Sequence, residues 1–168
     1  LVKYLFTSEK LSVQVHPGDH NALSGENGKE ECWLVLDAEP GARLAIGFDE
    51  ELSAQAIGAA ARDGTIESLL TWHEVAPGDI YYLPAGTVHA IGPGLSLVEV
   101  QQTSDTTFRL YDYGRPRELH LERALALPVL GGATAQAPVP ASPAPPADPD
   151  RSPTGKQPGD AVRDLLRT

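Results

Sequence analysis

Pro77-Gly78-Asp79-Ile80-Tyr81-Tyr82-Leu83-Pro84-Ala85-Gly86-Thr87-Val88-His89 is the stretch on which the reading of this chain turns. Gly and Pro punctuate a β-branched and aromatic run. It therefore reads as a turn at Pro77-Gly78, a short strand, a second turn at Pro84-Ala85-Gly86, and a strand carrying one imidazole. Glycine at each corner admits backbone angles that other residues avoid, and Pro84 stiffens the approach, so the two turns would aim His89. Alone, the segment leaves two readings open: a core histidine in an ordinary hairpin, or a ring aimed at a ligand. Groups elsewhere in the chain decide between them.

Upstream, Leu1 to Phe6 is apolar and aromatic, Thr7 to Lys10 forms a polar turn, and Leu11-Ser12-Val13-Gln14-Val15-His16 alternates with period two before Pro17-Gly18 ends it. Alternation places Ser12, Gln14 and His16 on one face and Leu11, Val13 and Val15 on the other. For such a pattern the commoner outcome is a half-exposed strand whose polar side meets water; the other is the lining of a polar cavity. After a Gly- and Asn-rich loop, Glu30-Glu31-Cys32-Trp33-Leu34-Val35-Leu36-Asp37 is a strand that opens on two acids. If Glu31 points inward with Trp33 and Val35 it must be paired, protonated or metal-bound; if outward, it is a gatekeeper on an edge strand.

Arg43 to Phe48 is a further strand, and Glu51 to Ala61 is the one helical interval, with Leu52, Ala56, Ile57 and Ala60 at helical spacing. A short turn follows to Leu69-Leu70, and strands at Trp72 to Val75, Leu95 to Gln102 and Thr107 to Tyr111 complete the pattern, with a short helical turn at Leu119 to Ala126. Many short strands with Gly/Pro turns and one helical insertion indicate an all-β sandwich or barrel, most simply a jelly roll. From Pro128 the composition shifts to Pro, Ala and Gly. Residues 128–160 read as a disordered linker, and 161–168 as the start of a further domain.

The chain has 168 residues, 41% of them hydrophobic, enough for one domain with a real core. Its net charge of −10 argues against a nucleic-acid surface, which needs clustered Lys and Arg. No apolar run approaches the ~20 residues of a membrane span and no signal region opens the chain, so the cytoplasm is the expected setting. Cys32 is the only cysteine, which excludes an internal disulfide and suits a reducing compartment. Met is absent even at position 1, which suggests part of a longer product. The sequence is silent on oligomeric state.

Gln14, His16, Glu31 and His89 come from three strands separated in sequence, each at a strand end or on a polar face, as ligands gathered in a barrel lumen do. Two imidazoles, a carboxylate and an amide oxygen suit a borderline divalent ion. Zinc fits, with iron in a two-His, one-carboxylate arrangement as the alternative; Gln14 is the weakest ligand of the set.

Gly78 to His89 resembles the second conserved motif of cupins. More closely, Leu11-Ser12-Val13-Gln14-Val15-His16-Pro17, Gly28-Lys29-Glu30-Glu31-Cys32-Trp33, Pro84-Ala85-Gly86-Thr87-Val88-His89-Ala90 and Gln101 to Tyr113 together resemble the type I phosphomannose isomerases in their shorter bacterial form. The likeness covers Leu1 to Leu127 and implies a cupin-type jelly-roll catalytic domain, incomplete at its N-terminus and followed in the family by a second, smaller cupin domain. It implies one zinc ion per chain on Gln14, His16, Glu31 and His89, Arg109 as catalytic arginine, Lys29 in the substrate pocket, and interconversion of mannose 6-phosphate and fructose 6-phosphate. Gly28 stands where longer relatives carry a histidine. Asp105, Glu99 and a zinc-bound water are the candidate proton carriers, and a salt bridge from Arg109 to Asp105 is the structural alternative for that arginine. A metal-dependent cupin oxygenase and a non-catalytic sugar-binding cupin are the competing classes.

Overall fold

A computed structural model describes residues 1–22 and 25–128. Nine strands alternate with three short helices: β1 (Val2–Thr7), β2 (Val13–Val15), β3 (Glu31–Ala38), β4 (Arg43–Phe48), α1 (Ala54–Asp63), α2 (Ile66–Leu69), β5 (Leu70–Glu74), β6 (Ile80–Leu83), β7 (His89–Ile91), β8 (Leu95–Gln101), β9 (Phe108–Tyr111) and α3 (Leu121–Leu125). They form two antiparallel sheets, ordered β1-β8-β3-β6 and β5-β4-β7-β2-β9. Most connections cross from one sheet to the other, which is the jelly-roll pattern. β6 and β7 lie in different sheets, so the stretch from Pro77 to His89 is a crossover and not a hairpin. The linker and further-domain readings of 129–168 lie outside the described residues.

Two apolar cores result. Between the sheets, Trp33, Val35, Leu44, Ile46, Tyr81, Leu83, Ile91, Leu95 and Leu97 fill the lumen. Outside the five-stranded sheet, Val13, Val15, Val88, Ala90, Phe108 and Leu110 meet Ile57, Ala60, Ile66 and Ala124 from the helices. α1 begins where the Ser53 hydroxyl accepts from the Ala56 N–H at 3.1 Å, and ends at Gly64 in the left-handed region at φ 85°. That cap moves the start of the helix from the expected Glu51 to Ala54.

Helices over one sheet reverse the commoner expectation for Leu11 to His16. The apolar side of β2 faces outward and is buried under the helices, while its polar side faces the lumen. The other sheet has no such cover among the described residues, so Val2, Tyr4, Phe6 and Val100 are exposed on its outer face. β3 lies between β8 and β6, which rules out the edge-strand reading of Glu31. Its alternation sends Glu31, Trp33 and Val35 inward.

Candidate metal centre

Register builds the site. On β2, Gln14 stands opposite His89 of β7 on one side and Arg109 of β9 on the other. Side chains directly opposite share a face, so the three form one row across the lumen wall. His16 lies two residues beyond Gln14 with the same parity, just before Pro17. Glu31 opens β3 on the facing sheet, opposite Leu83 and Gln101. Gly86, at φ 82°, turns the chain into β7, and its N–H donates to the His16 carbonyl at 2.9 Å, which ties the two imidazole-bearing segments together.

The ligand atoms of His16, Glu31 and His89 lie within 4.8 Å of one another, and all three residues are buried. His16 Nε2 is 3.2 Å from Glu31 Oε1, and His89 Nε2 is 3.7 Å from Glu31 Oε2. The outer ring nitrogens are engaged: His16 Nδ1 lies 3.0 Å from the Thr106 carbonyl and His89 Nδ1 lies 2.9 Å from the Thr87 carbonyl. A carbonyl only accepts, so each Nδ1 carries a proton and each ring turns its Nε2 toward the Glu31 side of the lumen. This is how metal-binding histidines are oriented.

The charge states agree. Burial alone would raise the Glu31 pKa, but His16, His89 and Lys29 outweigh it and hold the carboxyl well below the ordinary carboxylate range. Burial, with His16 beside it, pushes His89 down from 6.5 to about 4, against the pull of Glu31. At neutral pH a carboxylate and an uncharged His89 ring therefore lie together in the buried lumen. Both Glu31 oxygens, although close to Lys29 and His16, lack an aligned hydrogen-bond donor. A buried carboxylate whose close cationic partner is Lys29, with two imidazoles beside it, is an environment that a divalent cation can occupy.

Gln14 joins this group through its amide nitrogen, 3.2 Å from His89 Nε2. Exchange of its amide nitrogen and oxygen would present an oxygen ligand instead. Lys29, 5% exposed, puts Nζ 2.7 Å from Glu31 Oε1 and 3.3 Å from His16 Nε2. Arg109 donates from Nη1 to the Glu118 carbonyl at 3.3 Å, and its buried Nε has no partner. It makes no ion pair with Asp105 or any other carboxylate among the described residues, so the salt-bridge reading does not hold.

Lys3 escaped the sequence reading. It stands opposite Glu99 on the lumen face of β1, half-exposed, with Nζ 3.3 Å from the buried Glu99 Oε1, while the Trp33 indole N–H donates to Glu99 Oε2 at 3.3 Å. Trp33 in turn meets the His89 ring edge-on, with centroids 5.3 Å apart. The alternation of Lys3, Leu5 and Thr7 against Val2, Tyr4 and Phe6 was legible, but it would ordinarily send the lysine to water. Asp105 lies elsewhere, on a cavity of about 670 Å³ that also includes Thr106, His120 and Arg123. Thr106 links the two regions, since its carbonyl holds His16. Taken together, His16, Glu31 and His89 can hold a divalent cation, with the Lys29 ammonium beside them.

No protein-family model matches the chain. It is 44% identical over 138 residues to mannose-6-phosphate isomerase ManA of Bacillus subtilis, covering 74% of this chain and 42% of the relative. It is 42% identical over 139 residues to the mannose-6-phosphate isomerase of Streptococcus mutans, covering 78% and 44%. The fold superposes on the crystal structure of the Bacillus subtilis mannose 6-phosphate isomerase with a TM-score of 0.72 at 38% identity, over 79% of this chain and 46% of that one. A putative mannosephosphate isomerase from Archaeoglobus fulgidus gives a TM-score of 0.62 at 26% identity, over 73% and 39%. The chain thus spans less than half the length of the curated relatives it matches. Over that span, in sequence and in its double-sheet β fold alike, it belongs with the mannose-6-phosphate isomerases.

Proposed function

We propose that this chain carries the catalytic centre of a zinc-dependent isomerase that interconverts mannose 6-phosphate and fructose 6-phosphate. The observation that carries the proposal is the convergence of His16, Glu31 and His89 on one buried point, with Gln14 beside them. The residues fit a borderline divalent ion, with two imidazoles, a carboxylate and an amide that can turn its oxygen inward. Bound there, the ion would supply positive charge to the oxygens of the open-chain sugar.

Aldose–ketose exchange moves a proton between adjacent carbons, and the enediolate that forms needs cationic partners for its oxygens. Arg109, in the lumen row with Gln14, is assigned that role, and Lys29 that of binding a sugar oxygen. The base is assigned to one of two carboxylates: Glu99, which shares the lumen with the ligand set, or Asp105, which lines the outer cavity. The lone thiol and the sugar-phosphate substrate fit a cytoplasmic setting. We assign 1–127 to a cupin catalytic domain, 128–160 to a linker and 161–168 to the start of a second cupin domain.

The test uses the complete protein. Metal analysis and anomalous scattering at the zinc edge should identify one zinc ion per chain, and the protein should convert mannose 6-phosphate to fructose 6-phosphate. Arg109→Ala should abolish turnover while zinc stays bound. Unchanged turnover would defeat the assignment of Arg109. Iron in place of zinc, together with oxygen uptake, would redirect the reading to an oxygenase.

A further inference from the structure

The ammonium of Lys29 stands 2.7 Å from Glu31 Oε1 and 3.3 Å from His16 Nε2, on two of the three residues that would hold the ion. A monovalent and a divalent cation cannot both take these buried atoms at close range. At 4 to 5 Å their repulsion is several times RT even at an effective dielectric of about 20. The lysine backbone is fixed. Its N–H donates to the Pro17 carbonyl at 2.8 Å, and the preceding Gly28 packs so closely on Asp19 that a Cβ there would lie 2.4 Å from the Asp19 nitrogen. The side chain is not fixed in the same way. Its contact with Glu31 lacks hydrogen-bond alignment, and four rotatable bonds let the ammonium swing while the loop stays put.

We propose that Lys29 competes with the metal for Glu31 Oε1 and His16 Nε2, so that metal loading drives the ammonium off the carboxylate and frees it for an oxygen of the substrate. The proposal rests on the metal-binding reading of this centre. Lys29 has two states in it: counter-ion to Glu31, and free donor once the divalent ion neutralises that carboxylate. Linkage makes the coupling reciprocal, so whatever weakens the hold of Lys29 on Glu31 tightens metal binding.

The test is a competition between the complete protein and a chromophoric chelator for Zn²⁺ alone, with wild type beside Lys29→Met. The variant should bind Zn²⁺ at least tenfold more tightly; equal or weaker binding would overturn the competition. Should Lys29→Met fail to fold, the wild-type protein still decides it. Labelling of Lys29 by an amine-reactive probe, followed by mass spectrometry, should rise severalfold when Zn²⁺ is added, and unchanged labelling would overturn the proposal. Wild type that binds no Zn²⁺ would overturn the metal reading as well, whereas equal binding by both chains would remove only the competition.

Discussion

Lowering the pH of the metal-stripped protein from 7 to 5 should destabilise the fold by about 2 kcal/mol through His89 alone. The ring is 1% exposed. Burial first, then the neighbouring His16, depress its pKa from 6.5 to about 4, with Glu31 opposing. Below about 6.5 the unfolded chain takes up a proton that the folded ring refuses until about 4. The stability present at pH 7 is therefore lost as pH falls through that window. The whole interval corresponds to about 3.5 kcal/mol at ~1.4 kcal/mol per pH unit, of which a little over half falls between pH 7 and 5. Glu31 acts in the same direction but lower down. Its pKa is depressed from 4.5, so the stability it contributes is present above 4.5 and is lost only as pH falls toward its folded-state value. Urea unfolding of chelator-treated protein at pH 7, 6 and 5, with His89→Gln in parallel, measures the effect. Wild type should lose stability steadily while the non-titrating variant loses about 2 kcal/mol less. Equal pH slopes for the two proteins, or a wild type that gains stability toward pH 5, would refute the reasoning.

Three further outcomes follow from the packing. Glu31→Gln should strip the protein of its metal and, by leaving Lys29 buried without its counter-ion, destabilise the metal-free fold by about 3–5 kcal/mol; thermal unfolding and metal analysis read both, and a variant that keeps its metal would count against the cluster. Ile57→Ala opens a cavity where α1 covers the outer face of the five-stranded sheet and should remove about 2–5 kcal/mol in denaturant unfolding. A loss well under 1 kcal/mol would mean that the helix does not seal that face. Gly86→Val forces a β-branched residue to φ 82° at the turn that delivers His89, a strain of about 1–3 kcal/mol. It should also weaken metal retention, and crystals showing an unmoved turn with full metal occupancy would contradict that.

The sequence by itself determined which residues share a face. Period-two alternation put Gln14 with His16 and Glu31 with Trp33, the turn residues at Pro77-Gly78 and Pro84-Ala85-Gly86 bracketed β6, and the β-rich pattern led to a jelly roll. These are local properties, set by pleat geometry and by the backbone angles that Gly and Pro allow. Only the tertiary structure decided which face is inside. A polar stripe beside an apolar one reads as water beside core, yet in β2 the apolar side is sealed by α1 and α3 and the polar side lines the lumen. The same inversion sends Lys3 inward beside Glu99 and leaves Tyr4 exposed. The row of Arg109, Gln14 and His89, and the approach of Lys29 to Glu31, likewise belong to the assembled barrel. Strand register brings Gln14 against His89, 75 residues further along the chain, and that pairing is selected by the burial of both cores at once, a long-range balance that no local stretch encodes.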